Sequence, residues 1–180
     1  MLNKKMVSLC RQAETIQIYH TEQGKFICDG HCLYPLYQDA DLNSEAICEI
    51  YDLNIEKISC RDFQELPEGL DISDFTENET ECQILPVSIY ENGDVILLIE
   101  SASGLNFIKK KYLSPLGKYD AGEILIYERY FPNGNKYFVI KIGMELKGIV
   151  LPYAVHIESF RKNISYIFDL CKMTKEKLEG

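Results

Sequence analysis

Residues 15–36 read TIQIYHTEQGKFICDGHCLYPL, and residues 95–116 read VILLIESASGLNFIKKKYLSPL. The two stretches align without gaps. Ile16 falls on Ile96, Ile18 on Leu98, Thr21 on Ser101, Gly24 on Gly104, Leu33 on Leu113, Pro35 on Pro115 and Leu36 on Leu116. Each reads as a strand, a tight turn, a second strand and a closing proline, which has no N–H with which to extend a ladder. Gly24 and Gly104 supply the positive φ that such turns need. A looser third copy, ILIYERYFPNGNKYFVIKIGMELKGIVLPY at 124–153, turns at Gly134 and closes on Leu151-Pro152. Three such units predict an α+β class: an antiparallel, β-rich fold of repeated strand-turn-strand-Pro units, with one short internal helix and a C-terminal amphipathic helix.

The rest of the chain is read around these units as one domain, 1–180. A β unit covers 15–36, an acidic helix/loop segment 39–81, further β units 83–116 and 123–153, and a C-terminal helix about 156–176. Within the acidic segment, Ser44–Leu53 reads as a short helix that Ser44 caps, with Ile47, Ile50 and Tyr51 on one face. Ile55–Phe63 reads as a strand. Gln83–Tyr90 and Asp94–Glu100 flank Glu91-Asn92-Gly93, a hairpin turn, and Phe131–Asn135 is a second such turn. Ile157, Phe160, Ile164, Ile167, Phe168 and Cys171 recur at helical spacing.

The chain has 180 residues, 19 basic and 28 acidic side chains and a formal net charge of −9. With 46% apolar and 26% charged residues, it matches neither a disordered tail nor a membrane protein. No apolar run approaches the ~20 residues of a spanning helix. The N-terminal stretch lacks an apolar h-region, so no signal peptide and no membrane are expected, and the expected location is cytoplasmic. Seven cysteines, an odd number at scattered spacings, read as free thiols.

The charge is concentrated. Residues 39–81 carry 14 Asp and Glu against Lys57 and Arg61, a net of −12, while the remainder carries 14 acids and 17 bases, a net of +3. The densest part, ELPEGLDISDFTENETE at 65–81, holds Glu65, Glu68, Asp71, Asp74, Glu77, Glu79 and Glu81 and no base. The first five recur every third residue. That spacing drifts around an α-helix and lines one edge of an extended or polyproline-like segment. Leu66, Leu70, Ile72 and Phe75 are interleaved, so the segment can pack while presenting its carboxylates outward. By base rate such a run is a solvated acidic loop. The sharper reading is an anionic ridge that occupies a basic, phosphate-binding surface of a protein partner.

Other chemistry is sparse. Cys28, His31 and Cys32 are soft metal ligands within five residues, but zinc needs four, and the aligned positions of the second unit are Ile108, Lys111 and Tyr112. A buried strand thiol and a polar turn are therefore favoured over a metal site, and no cofactor is expected. His31 adjoins Cys32, and neighbours on a strand face opposite ways, which does not suit a nucleophile–base pair. Neither a nucleophile elbow nor a phosphate loop is present. The only basic run, Lys109-Lys110-Lys111, is the one candidate for direct nucleic-acid contact on an otherwise acidic chain.

The string Ile18-Tyr19-His-Thr-Glu-x-Gly24, continued by Cys28-Asp29-Gly30-His-Cys-Leu-Tyr34-Pro35-Leu36 and later Leu66-Pro67-Glu68-Gly69-Leu70, resembles small accessory proteins of phages and mobile elements in low-GC Gram-positive gut bacteria. Within that company an acidic chain of this size is similar to anti-CRISPR proteins, inhibitors of Cas9-type RNA-guided nucleases. The resemblance implies a non-enzymatic inhibitor that binds a Cas9–guide RNA complex, and it brings no site residues with it. Two alternatives come from other classes. One is an assembly protein of a mobile element that oligomerises through its β units and terminal helix. The other is a metal-dependent enzyme built on Cys28, His31 and Cys32.

Overall fold

The computed structural model describes residues 4–36, 42–117 and 123–154, together with 164, 166, 168 and 169. Among them, ten strands form one mixed sheet: β1 (Thr15–Thr21), β2 (Gly24–Cys28), β3 (Cys32–Leu36), β4 (Ser59–Phe63), β5 (Thr80–Glu91), β6 (Asp94–Ser101), β7 (Gly104–Lys109), β8 (Ile124–Tyr130), β9 (Lys136–Ile142) and β10 (Glu145–Val150). Their order across the sheet is β4-β1-β2-β3-β10-β9-β8-β5-β6-β7. The β1–β4 pair is parallel and the others are antiparallel. Two α-helices, α1 (Lys4–Ala13) and α2 (Ser44–Ile50), and a 3₁₀ helix, Lys110–Leu116, complete the described elements. The β-rich α+β class is as expected. The C-terminal helix expected over about 156–176 lies outside the described residues, save for Ile164, Tyr166, Phe168 and Asp169.

The aligned units share their opening hairpin. Thr21 pairs with Gly24 at the β1–β2 turn and Ser101 with Gly104 at the β6–β7 turn, with glycine φ of +126° and +102°. In each turn the hydroxyl donates to the glycine carbonyl, at 2.8 and 3.3 Å. Beyond the second strand the units part. The first continues into β3, with Pro35 paired to Phe26 inside the ladder. The second winds into the 3₁₀ helix that contains Pro115. The β3–β10 ladder holds only Leu33↔Ile149 and Cys32↔Val150. It stops short of Pro35, which has no N–H to offer on that side.

Several local expectations change. Asn43, not Ser44, caps α2, its Oδ1 accepting from the Ala46 N–H at 2.8 Å. Ser44 is instead the first helical residue, and its N–H donates to Asp62 of β4 at 3.1 Å. The helix stops at Ile50, which is 62% exposed: Asp52 takes a φ of +48° and the Leu53 N–H donates back to the Cys48 carbonyl at 2.8 Å. The strand expected from Ile55 starts at Ser59. Helix α1 was not foreseen, although Met6, Val7, Leu9 and Cys10 fall on one face and are buried.

Alternation gives the sheet two apolar faces. Ile16, Ile18, Ile27, Ile126, Phe138 and Ile140 point to the face covered by α1, α2 and the 3₁₀ helix. Tyr19, Phe26, Leu33, Tyr137, Val139, Leu146 and Ile149 point to the opposite face, where no described helix packs. That face is closed by the acidic segment.

Candidate functional site

Residues 64–79, which join β4 to β5, run without regular secondary structure across the second face. Leu66, Leu70 and Ile72 pack on its apolar cluster. Phe75 does not follow them: it is 65% exposed. Gly69 fixes the approach, because its φ is +75° and a Cβ there would stand 2.2 Å from Pro132 Cδ in the β8–β9 turn. Nothing larger than glycine fits between this strap and that turn.

Charged groups beneath the strap hold it down. Arg129 of β8 is 2% exposed. Its Nη1 donates to the Asp71 carbonyl at 3.0 Å and its Nη2 to the Ser73 carbonyl at 2.9 Å. Its Nε donates to Glu79 Oε2 at 2.9 Å. Lys141 of β9, also buried, donates to Glu79 Oε1 at 2.5 Å, and its ammonium lies 4.3 Å from the centroid of the Tyr127 ring. Glu79 is thus the shared anion of two buried cations. The Asp71 N–H donates to the Tyr137 hydroxyl at 3.1 Å, and Asp74 Oδ1 accepts the Leu146 N–H at 2.7 Å. Buried charges are tolerated only when paired and hydrogen-bonded in this way.

The seven acidic positions therefore divide. Asp71, Asp74 and Glu79 are tied to the body. Glu65, Glu68, Glu77 and Glu81 are exposed, as is Phe75, which lies between them in sequence. Beside the strap, a groove of about 580 Å³ has Phe26, Ile72 and Leu146 in its lining, with Asp74 and Glu145 among the acids along it. Sequence reasoning missed Arg129, Lys141 and Tyr137. The signal for the first two was a charged residue in phase with apolar ones on a strand, Arg129 after Leu125 and Tyr127 in ILIYERY and Lys141 after Tyr137 and Val139 in KYFVIKI.

The soft-ligand trio does not converge. The Cys28 sulfur accepts the Gly30 N–H, the Cys32 thiol faces the Met6 sulfur at 3.9 Å, and the His31 ring stacks with Tyr112 at 5.9 Å. Asp29 Oδ1 accepts from the His31 and Cys32 N–H groups, which makes this a tight turn. Among the described residues, no group of three or more His, Cys, Asp or Glu could hold a metal ion. Of the basic run, Lys109 and Lys111 both pair with Asp94, at 2.9 and 3.1 Å, while Lys110 is exposed. No described helix is long and apolar enough to cross a membrane.

No protein-family model, no curated protein and no solved structure matches this chain. The strap's geometry stands on its own.

Two carboxyls, the partly exposed Asp71 and the buried Glu128, set the acid response. Burial alone would raise the Asp71 pKa, but the Ser73 hydroxyl and N–H, then Arg129 and Lys141, outweigh it and hold the carboxyl below its ordinary range. Glu128 is held low in the same sense, burial being overcome by the hydroxyls of Ser101, Ser103 and Tyr130 and by Lys136. A carboxyl lowered in the folded state adds stability above its unfolded pKa, and that stability is lost as pH falls through the folded value. The urea midpoint should therefore drop between pH 6 and pH 3, roughly the span of carboxylate titration. The D71N/E128Q variant should start lower at pH 6 and fall less steeply.

Proposed function

We propose that this chain is a non-enzymatic binding protein whose strap engages a basic, phosphate-binding surface on a nucleic-acid enzyme. The observation that supports this is the split among the strap's carboxylates. Arg129, Lys141 and Glu79 fix the backbone, so Glu65, Glu68 and Glu77 stand on a pre-organised segment that also carries the exposed Phe75, with Glu81 just beyond it on β5. Pre-organisation lowers the ordering cost of association, and an exposed aromatic among charges suits an interface anchor. A fixed row of anions competes with a nucleic-acid backbone for lysines and arginines. The groove beside the strap, with its apolar lining and its acids, suits the stem and head of an arginine or lysine side chain from the partner. The specific target proposed is a Cas9-type RNA-guided nuclease, which holds its strands in a positively charged channel and reads its PAM with arginines.

The test reverses only the exposed charges. Glu65, Glu68, Glu77 and Glu81 are replaced by Lys, and folding is confirmed by circular dichroism. Affinity for a Cas9–guide RNA complex and inhibition of target cleavage are then measured. Binding should weaken by at least about tenfold, and more at low salt, as expected for charge complementarity. Phe75→Ala should weaken it independently of salt. Undiminished inhibition by the four-site variant removes the strap as the binding surface. Failure of the unaltered protein to bind or inhibit removes the nuclease as target.

A further inference from the structure

Six cysteines lie among the described residues, and all are free thiols. The Cys10 and Cys82 thiols donate to backbone carbonyls, Cys28 accepts an N–H and Cys32 faces a methionine sulfur. Cys48 and Cys60 behave differently. Cys48 sits on the buried face of α2, Cys60 sits on the edge strand β4, and their Sγ atoms are 3.2 Å apart. Cys48 is fully buried, whereas Cys60 is partly open to solvent.

We propose that Cys48 and Cys60 form a reversible oxidation site that closes to an intramolecular disulfide when a hydroperoxide reaches Cys60. A bond of about 2.05 Å requires the sulfurs to close by only a little over 1 Å. The parts for the two steps are in place. The Cys60 thiolate attacks the distal peroxide oxygen, the O–O bond breaks, and water leaves once the departing oxygen takes a proton, so that Cys60 becomes a sulfenic acid. The Cys48 sulfur then displaces that hydroxyl as a second water, giving the S–S bond. Two thiols and one hydrogen peroxide thus give one disulfide and two waters. Burial first, and then the contact with Cys60, push the Cys48 thiol up to about 12. Cys48 is therefore unreactive toward oxidants in solution and suited to attack only the sulfur it already touches. The bridge would staple α2 to β4 alongside the existing Ser44–Asp62 contacts. It would restrain the strand from which the strap departs. The inference is independent of the proposed partner.

The full chain is treated with hydrogen peroxide, denatured under acid and alkylated, and its peptides are mapped by mass spectrometry. Trypsin leaves Cys60 on its own peptide after cleavage at Lys57 and Arg61, and cleavage after Glu45 and Glu49 separates Cys48 from Cys28 and Cys32. The expected product is a monomeric Cys48–Cys60 crosslink, reversed by dithiothreitol, formed before the other thiols are lost. It should raise the urea midpoint above that of the reduced protein. Cys48→Ser should trap Cys60 as a sulfenic acid that dimedone labels, and Cys60→Ser should leave Cys48 fully alkylatable. If the unaltered chain loses all its thiols at one rate, bridges other cysteines, or forms only intermolecular disulfides, the proposal is overturned. That map requires no variant to fold.

Discussion

Glu79→Ala is expected to destabilise the fold by about 3–5 kcal/mol, the usual cost of leaving a buried charge without its partner. The size follows from what Glu79 neutralises. Arg129 and Lys141 are both nearly inaccessible, and Arg129 donates to its Oε2 and Lys141 to its Oε1. Removing the carboxylate leaves two cations side by side beneath the strap, with only the partly exposed Asp71 carboxylate 3.7 Å from Arg129. Glu79→Gln keeps the shape and some hydrogen bonds and should cost less. The comparison that decides the matter is Glu77→Ala, two residues earlier and exposed, which should stay within about 0.5 kcal/mol of the parent. Urea unfolding followed by circular dichroism measures all three. Equal small losses for Glu77 and Glu79 would mean that the buried pairing does not hold the strap.

Gly69→Ala should cost about 2–6 kcal/mol. Two terms add. A backbone φ of +75° strains any residue with a Cβ, at about 1–3 kcal/mol in sparsely populated regions. The new methyl would also meet Pro132 Cδ at 2.2 Å, which forces the strap off the β8–β9 turn, and overpacking of this kind costs about 1–3 kcal/mol. The terms can be separated. Pro132→Ala in the Gly69→Ala background should recover the steric part and leave the backbone part, a coupling that a double-mutant cycle reads directly. If Pro132→Ala restores nothing, the turn does not set the position of the strap.

Local pattern made much of this molecule legible. The Gly24 and Gly104 hairpins, the Asn92-Gly93 turn and the packing of Leu66, Leu70 and Ile72 all follow from residues close in sequence. What was not legible depends on distant residues. A three-residue period places five carboxylates along one edge, but it cannot know that Arg129 waits more than fifty residues away to bind the Asp71 and Ser73 carbonyls. Phe75 belongs by pattern with the apolar set. It is instead 65% exposed. The proline endings of the aligned units look alike in sequence, yet Pro35 sits in a strand and Pro115 in a 3₁₀ helix. The parallel β1–β4 pair leaves no local mark, since its partners are separated by 44 residues.

The β3–β10 junction carries two residue pairs. On one side of it lie β4, β1, β2 and β3, and on the other the remaining six strands. So short a seam leaves the main chain few hydrogen bonds with which to resist bending along this line, and Ile18, Ile27 and Tyr34 pack across it on Phe138, Ile140 and Val150. The strap crosses that line. It starts at β4, the outer edge of the smaller half, and reaches β5 seven strand positions away, about 34 Å at ordinary strand spacing. Its fastenings, Arg129 and the Leu146 N–H, lie on the far side. The strap is thus a brace, and cutting it, as a protease would within 73–78, should loosen the smaller half of the sheet against the larger and leave the apolar core to hold the two together.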